Sequence, residues 1–248
     1  MRDRGIAHRG YPGRYPENTL ASFQAAAELG FTRLELDAQP TRDGVPVVLH
    51  DLRVDRMTEG TGYVMEMSLE ELRRLRVAGT EPIPTLEEAL RLLRGKLEVN
   101  IELKQFGQRY PGLETAVLDV VKRLDMADQV FLTSFDEFSI RRLRELDADI
   151  AAGFIHHGST TAVFPLMRQL KAAYLAVNHL YITPEYAALC EEEGISLIAY
   201  TVDEAEEMKR LLACPSVLVC TNQAELWRET ALAEERRVVA PEPNGAAG

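Results

Sequence analysis

Short apolar runs alternate along this chain with longer stretches in which apolar residues recur every three or four positions. Short apolar runs are typical of buried strands, and the longer spacing is typical of amphipathic helices. Eight strand-helix units of this kind can be counted, and their regular alternation predicts a parallel sheet covered by helices. The predicted strands are residues 5–8, 33–38, 98–103, 129–133, 149–155, 174–177, 196–200 and 216–220.

Local signals predict where several of the intervening helices begin. Thr85 and Glu88 have the spacing of a capping box, in which two side chains satisfy free backbone N–H groups at a helix start. Asp203 and Glu206 have the same spacing. Thr183 precedes a proline, which is favoured at the first helical position. We therefore expect helices to start at all three places.

The alternation is interrupted between residues 51 and 82, where turn-forming residues predict an elaborated loop inserted after the second strand region. From residue 233 the chain is rich in Glu and Arg and then in Pro, Ala and Gly, which predicts a flexible tail over 233–248. We therefore predict one α/β domain over residues 1–232, a (β/α)₈ TIM barrel. A chain of 248 residues that is 46% hydrophobic suits one barrel of this kind.

Charge and cysteine content narrow the possible partners. The net charge of −11 disfavours nucleic acids and anionic membranes, because an acidic surface repels phosphate groups. Three cysteines without metal-ligand spacing predict reduced thiols rather than a disulfide framework. The sequence contains no run of about 18 apolar residues, so it predicts no membrane anchor. The charged N-terminus does not resemble a signal peptide. These features predict a cytoplasmic location and leave the oligomeric state open.

Polar side chains interrupt or end the apolar strands in the first hundred residues. Active sites of parallel barrels lie at the carboxyl ends of the strands, so we expect these side chains to share one site. Seven residues are involved: His8, Arg9, Glu35, Asp37, His50, Glu102 and Lys104.

Three of these residues are carboxylates that can point to one place. Glu35 and Asp37 are two positions apart on a strand and so share a face, and Glu102 ends the next barrel strand. Unpaired carboxylates inside a barrel are costly, and a hard divalent cation with oxygen ligands, Mg²⁺ or Ca²⁺, would keep them ionised. The alternative is that neighbouring arginine and lysine side chains pair with them as buried ion pairs.

His8 and His50 lie on different strand ends and are candidates for acid-base catalysis, because histidine titrates near neutral pH. Either one alone is equally consistent with a structural histidine. Two His and one Glu also build hydrolytic zinc sites, but no short zinc-ligand spacing is present. Arg9 and Lys104 suit an anionic substrate, and an arginine can hold a phosphate through two hydrogen bonds. Glu17 precedes the first helix and is a further candidate for the pocket.

The order of these motifs resembles the signature of the glycerophosphodiester phosphodiesterase family over about the first hundred residues. A match in several parts is more specific than any single motif. The matching segments are His8-Arg9-Gly10, Pro16-Glu17-Asn18-Thr19-Leu20, Glu35-x-Asp37, Thr41-x-Asp43-Gly44, Val47-Val48-x-His50-Asp51 and Glu102-x-Lys104.

The resemblance implies a (β/α)₈ barrel that hydrolyses a small glycerophosphodiester to glycerol 3-phosphate and an alcohol. It further implies specific roles for the matching residues. One divalent cation would be held by Glu35, Asp37 and Glu102, His8 and His50 would form the acid-base pair, and Arg9 and Lys104 would bind the phosphate. The resemblance does not identify the alcohol released, the ion, the acid or the base. It also leaves open whether a cyclic phosphate forms or water attacks directly.

The second half of the chain departs from the family pattern. Tyr200 stands where tryptophan is more usual, and we expect it to line the pocket. The segment Thr221-Asn222-Gln223-Ala224 replaces the usual Thr-Asp-x-Pro. We expect these departures to alter the shape of the substrate pocket and to leave the metal ligands and the histidines untouched.

Three rival functions remain at this point. A lysophospholipid could be cleaved in the manner of a phospholipase D if an apolar groove lay beside the site, and Val64, Met65 and Met67 could line one. A non-catalytic binding barrel would be expected to lack a histidine or carboxylate, and none is missing. An isomerase of a sugar phosphate would hold the phosphate in the last two βα loops.

Overall fold

The computed structural model describes residues 1–239, in which the strands close into a barrel. The strands are β1 (Gly5–His8), β2 (Arg33–Pro40), β3 (Pro46–Val48), β4 (Glu98–Leu103), β5 (Val130–Ser134), β6 (Ala152–His156), β7 (Tyr174–Asn178), β8 (Ser196–Tyr200) and β9 (Val217–Thr221). All pair in parallel except β3, which is antiparallel to β2. β1 pairs with both β2 and β9, which closes an eight-stranded parallel ring. The predicted (β/α)₈ barrel is confirmed.

Helices cover the outside of this ring. Within residues 1–239 they are α1 (Leu20–Glu28), α2 (Leu69–Leu72), α3 (Leu86–Leu93), α4 (Leu113–Arg123), α5 (Glu137–Leu146), α6 (Phe164–Gln169), α7 (Pro184–Glu192), α8 (Ala205–Leu212) and α9 (Ala224–Val239). The capping box of Thr85 and Glu88 is formed at α3, and Thr183 caps α7. None of the helices that the structure describes is long and apolar enough to cross a membrane.

The insertion after the second strand packs on a small core of its own. Seven buried side chains form that core: Val47, Leu49, Val54, Val64, Leu72, Val77 and Ile83. Met67 packs against it and Met65 packs against the main core, so the apolar groove expected at Val64, Met65 and Met67 is not formed there. These residues are apolar because they hold the insertion onto the barrel.

The last helix continues through residues 233–239, where the sequence predicted a tail. Glu and Arg are strong helix formers, and Glu235 makes an ion pair with the amino group of Met1 at 2.9 Å. The helix is therefore tied to the first residues of the chain beneath the barrel. The remainder of the predicted tail lies outside the described residues.

Candidate active site

A cavity of about 180 Å³ opens at the carboxyl ends of the barrel strands. Seven of the nine residues that the sequence singled out line this cavity: His8, Arg9, Glu35, His50, Glu102, Lys104 and Tyr200. Asp37 and Glu17 do not line it but contact Arg9, which does. The structure thus brings all nine predicted residues into one connected group.

The three predicted metal ligands converge. In the register of β2 and β4, Asp37 lies opposite Glu102, and Glu35 precedes Asp37 on the same strand face. Glu35, Asp37 and Glu102 each place one carboxylate oxygen within 4.8 Å of the others, and no other such cluster occurs among residues 1–239. Glu35 Oε1 and Asp37 Oδ1 are buried without a hydrogen-bond partner, although Lys104 Nζ lies 3.4 Å from the Asp37 oxygen. Orphaned oxygens in an acidic cluster fit a hard divalent cation.

The pKa values of the cluster show how much negative charge it has to accommodate. Burial, reinforced by Asp37 and Glu102, raises the pKa of Glu35 well above its usual value. Burial and then Asp37 raise the pKa of Glu102 to about 7. Burial acts the same way on Asp37, but Lys104 and Arg9 outweigh it and lower its pKa to about 2. Two of the three acids therefore resist ionisation, and a bound cation would remove that resistance.

The ion pairs that were the alternative to a metal site also form. Lys104 Nζ lies 2.7 Å from Glu102 Oε1 and 3.4 Å from Asp37 Oδ1. Arg9 Nε lies 3.3 Å from Asp37 Oδ2, and a guanidinium nitrogen donates to Glu17 at 3.0 Å. Neither of these two cations pairs with Glu35, whose Oε1 is buried without a hydrogen-bond partner. Ion pairing with Arg9 and Lys104 therefore does not account for the whole cluster.

The turn after β1 explains why the motif contains glycine. Arg9 adopts a φ of 55° and Gly10 a φ of 91°, both in the left-handed region. A Cβ on Gly10 would overlap the Ser22 hydroxyl oxygen. Asn18 closes the same turn and donates from its side chain to Asp37 Oδ2 at 2.8 Å. The turn thus holds both Arg9 and Asp37 in place.

His8 is held by a residue from the opposite end of the chain. Its Nδ1 lies 2.8 Å from the amide oxygen of Asn222, and its Nε2 lies 3.8 Å from Glu35 Oε2. Because an amide oxygen only accepts hydrogen bonds, Nδ1 carries the proton and Nε2 is unprotonated. Burial and then Arg9 lower the pKa of His8 to about 4, so the ring is neutral at neutral pH.

Two predictions near Asn222 are wrong. The departure from the family pattern at this position was expected to leave the histidines untouched, yet Asn222 contacts His8 directly. Asp203 does not cap α8 with Glu206. Its carboxylate instead accepts hydrogen bonds from the Asn222 backbone at 2.8 Å and from the Asn222 side chain at 2.7 Å. Local spacing could not reveal a partner on the neighbouring loop.

His50 is held by a carboxylate instead of an amide. Its Nδ1 lies 2.7 Å from Asp51 Oδ1. Arg56 donates to both oxygens of Asp51, at 2.5 and 3.0 Å, and these bonds together with His50 lower the pKa of Asp51 to about 2. Arg56 also donates to Glu17 at 2.7 Å, and Glu17 in turn binds Arg9. The sequence placed Asp51 in a motif but did not predict the role of Arg56.

The opposite wall of the cavity is apolar. Ile155, Ala176 and Ile198 line it from β6, β7 and β8. The Tyr200 hydroxyl donates to the carbonyl of His156 at 2.9 Å, and its ring lies edge-on to Phe135 at 6.3 Å between centroids. Tyr200 therefore lines the pocket, as expected. All charged side chains of the cavity come from the other half of the barrel, from β1 round to β4.

Known proteins resemble this chain in both sequence and architecture. Residues 8–226 match the model of the glycerophosphoryl diester phosphodiesterase family. A glycerophosphodiester phosphodiesterase of Caldanaerobacter subterraneus subsp. tengcongensis is 36% identical over 216 residues, covering 84% of this chain and 88% of the relative. A glycerophosphodiester phosphodiesterase of Bacillus altitudinis is 33% identical, covering 76% and 73%.

Solved structures agree. An Oleispira antarctica phosphodiesterase, in complex with the product sn-glycerol-3-phosphate, superposes with a TM-score of 0.86 and 26% identity. The match covers 92% of this chain and 96% of that one. With the ordered motifs, the barrel and these matches in agreement, the chain belongs to the glycerophosphoryl diester phosphodiesterase family, and the predictions of that family and of a phosphoric diester hydrolase are confirmed.

Proposed function

We propose that this protein hydrolyses glycerophosphodiesters to glycerol 3-phosphate and an alcohol. The observation that carries the proposal is one cavity in which an acidic cluster, two histidines and two cations face each other. The family membership and the relatives named above support the same activity. The features expected of a non-catalytic barrel are absent from the described residues, because no histidine or carboxylate of the motif is replaced.

The acidic cluster would hold one divalent cation through Glu35, Asp37 and Glu102. When bound, that cation, Mg²⁺ or Ca²⁺, would supply positive charge to offset the charge of the reacting phosphate. Arg9 and Lys104 bind the phosphate oxygens from the same side of the cavity and oppose the negative charge that grows as phosphorus is attacked. Both cations line the cavity, so neither has to move to reach the substrate.

The two histidines divide the proton transfers. The unprotonated Nε2 of His8 accepts the proton of the attacking group, which is either water or the neighbouring glycerol hydroxyl. In the second case the cyclic phosphate that forms is then opened by water to glycerol 3-phosphate. Burial, with Lys104 and Arg9, lowers the pKa of His50, and Asp37 and the Asp51 carboxylate oppose that lowering by stabilising the positive charge. His50 is therefore assigned the opposite step, in which it donates a proton to the oxygen of the departing alcohol. One P–O bond forms while the P–O bond to the alcohol breaks, so each proton removed on one side is matched by one supplied on the other.

The lysophospholipid alternative has less support. Its expected groove at Val64, Met65 and Met67 is filled by packing within the insertion and against the barrel. The sugar-phosphate isomerase alternative also loses its main feature, because Asn222 and Asp203 in the last two βα loops bind each other and His8. A loop that cradles a phosphate would instead direct backbone N–H groups to the ligand.

The proposal is tested by measuring glycerol 3-phosphate released from glycerophosphocholine and glycerophosphoethanolamine, with Mg²⁺, with Ca²⁺ or with a chelator. We expect release that depends on one of the ions. Glu102→Gln should abolish release, whereas Glu98→Gln, on the same strand but paired with Arg33, should retain it. If folded protein releases no product with either ion, the proposed substrate is wrong. If release continues in the presence of the chelator, the proposed dependence on a divalent cation is wrong.

A further inference from the structure

We propose that Gln39 is a positioning residue that fixes the orientation of His50. The inference rests on the proposed function, because it assumes that His50 protonates the departing alcohol. Gln39 is fully buried, with 0% of its surface exposed, and stands opposite Val47 where β2 pairs with β3. Its side-chain nitrogen donates two hydrogen bonds of 2.7 Å, one to the carbonyl of Leu49 and one to that of Asp51. These carbonyls flank His50 on either side.

The same strand that carries the acidic cluster therefore also fixes His50. Gln39 follows Asp37 by two positions on β2, so both side chains lie on one face of that strand. The backbone N–H of Leu49 donates to the carbonyl of Asp37 at 3.1 Å, which attaches the segment to β2 a second time. A shift of this backbone would move His50 relative to the metal ligands. Gln39 holds their spacing constant.

The chemistry of the amide is specific to this task. A primary amide nitrogen has two hydrogens and can serve two carbonyls at once, which a carboxylate or a hydrocarbon cannot do. The other end of the same amide, Gln39 Oε1, is buried without a hydrogen-bond partner. Burying an unpaired acceptor is unfavourable, so the side chain is placed here for its nitrogen and at the expense of its oxygen.

The other contacts of His50 leave this role to Gln39. The ring is held through Asp51, which follows it directly, and Asp51 is held by Arg56 from the insertion. Arg56 is about half exposed, at 49%, and reaches the barrel through Glu17. The buried pair of bonds from Gln39 is a more rigid link between the His50 backbone and the sheet.

The test compares Gln39→Met with Gln105→Met on two substrates. Gln105 is a matched control, since it is also buried and its side-chain nitrogen donates to Tyr110 O at 3.0 Å and to Glu114 at 3.2 Å. Those bonds hold the loop after β4 and do not reach the segment of His50. The substrates are glycerophosphocholine and the corresponding p-nitrophenyl ester, whose acidic alcohol departs without a proton donor. Alcohol release is measured for both.

We expect Gln39→Met to lower kcat for choline release by about tenfold or more, with little change in KM, because a displaced acid fails only in the transition state. Release of p-nitrophenol should stay near the wild-type rate. Gln105→Met should lose comparable thermal stability and affect both substrates in equal proportion. If Gln39→Met does not fold, Gln39→Asn keeps a buried amide that is too short to reach both carbonyls, and the same selective loss is expected.

Equal losses on both substrates, or no loss on either, would overturn the role of Gln39. His50→Ala in the same assay separates this inference from the proposed function. If His50→Ala loses choline release and Gln39→Met retains it, the positioning role alone is refuted. If His50→Ala retains choline release, the acid role of His50 is refuted and the inference falls with it.

Discussion

His8 and His50 face the same cavity, yet their second ring nitrogens meet different partners. His8 Nδ1 contacts a neutral amide oxygen on Asn222, whereas His50 Nδ1 contacts the Asp51 carboxylate. A carboxylate stabilises a positively charged imidazole far better than an amide does. These different partners are the basis for the proposed division of roles, in which His8 is the base and His50 is the acid.

The partners are held by different parts of the molecule. Asn222 is fixed by Asp203, so the last two βα loops of the barrel support His8. Asp51 is fixed by Arg56, so the insertion supports His50. The insertion therefore contributes to the active site, because its Arg56 neutralises and orients the Asp51 carboxylate next to His50.

Removal of either histidine ring should have the strongest effect on activity. His8→Ala and His50→Ala should each lower glycerol 3-phosphate release from glycerophosphocholine by about 10²–10⁴-fold. Circular dichroism should show an intact fold, because both rings border a cavity rather than fill the core. Near-normal turnover in both variants would contradict the assignment.

A smaller effect is expected when His50 is given a neutral partner like that of His8. Asp51→Asn removes the carboxylate that stabilises protonated His50, so kcat for choline release should fall by roughly tenfold. Asp55→Asn is the matched control on the same insertion, since Asp55 pairs with exposed Arg53 and lies outside the cavity lining. Steady-state kinetics that show the same loss in both variants would argue for a general effect on the insertion.

The reverse exchange gives His8 a carboxylate. The double variant Asn222→Asp with Asp203→Asn keeps each donor opposite an acceptor but places the negative charge beside His8. The pKa of His8, now lowered to about 4, should rise. A base works only when unprotonated, so the acid limb of the kcat/KM profile should move to higher pH by about one unit. An unshifted limb, with metal present, would show that His8 is not the base.

The smallest effect concerns the acidic cluster between the histidines. The pKa of Glu102 is raised to about 7 in the folded protein. The contribution of Glu102 to the stability of the fold is therefore fully present below the unfolded pKa of this carboxyl and is lost as pH rises through 7. The pKa of His8 is lowered, so the stability that His8 contributes is lost as pH falls below its unfolded pKa. This loss affects wild type and Glu102→Gln equally. In metal-free protein, Glu102→Gln should therefore gain several degrees of Tm relative to wild type between pH 5 and pH 8.

Scanning calorimetry with a chelator measures this difference, and Glu98→Gln is the control. Adding the cation at pH 8 should reverse the order of wild type and Glu102→Gln, because only the wild type has all three ligands. A Tm difference that does not change with pH would contradict the raised pKa of Glu102.

The fold could be predicted from sequence because its signals are local and repeated. All eight barrel strands appear where short apolar runs were counted, and the caps at Thr85 and Thr183 form as expected. The nine candidate site residues gather at one end of the barrel, because strand ends of a parallel barrel necessarily meet there. Their catalytic roles stay predictions.

What the sequence could not give were contacts between distant segments. Asn222 lies 214 positions from His8, and Asp203 satisfies a capping pattern while serving a neighbouring loop. In α9, Glu235 forms an ion pair with the N-terminus, another contact between distant segments. The apolar residues Val64 and Met67 suggested a groove, but apolarity alone does not distinguish a binding surface from packing.

The proposed roles of the two histidines are tested most directly by measuring alcohol release by His8→Ala and His50→Ala from glycerophosphocholine and its p-nitrophenyl counterpart. We expect His50→Ala to lose choline release but to keep most p-nitrophenol release. We expect His8→Ala to lose both, since a base is needed whichever alcohol departs. The opposite pattern, or equal losses by both variants on both substrates, would contradict the division of roles between the two histidines.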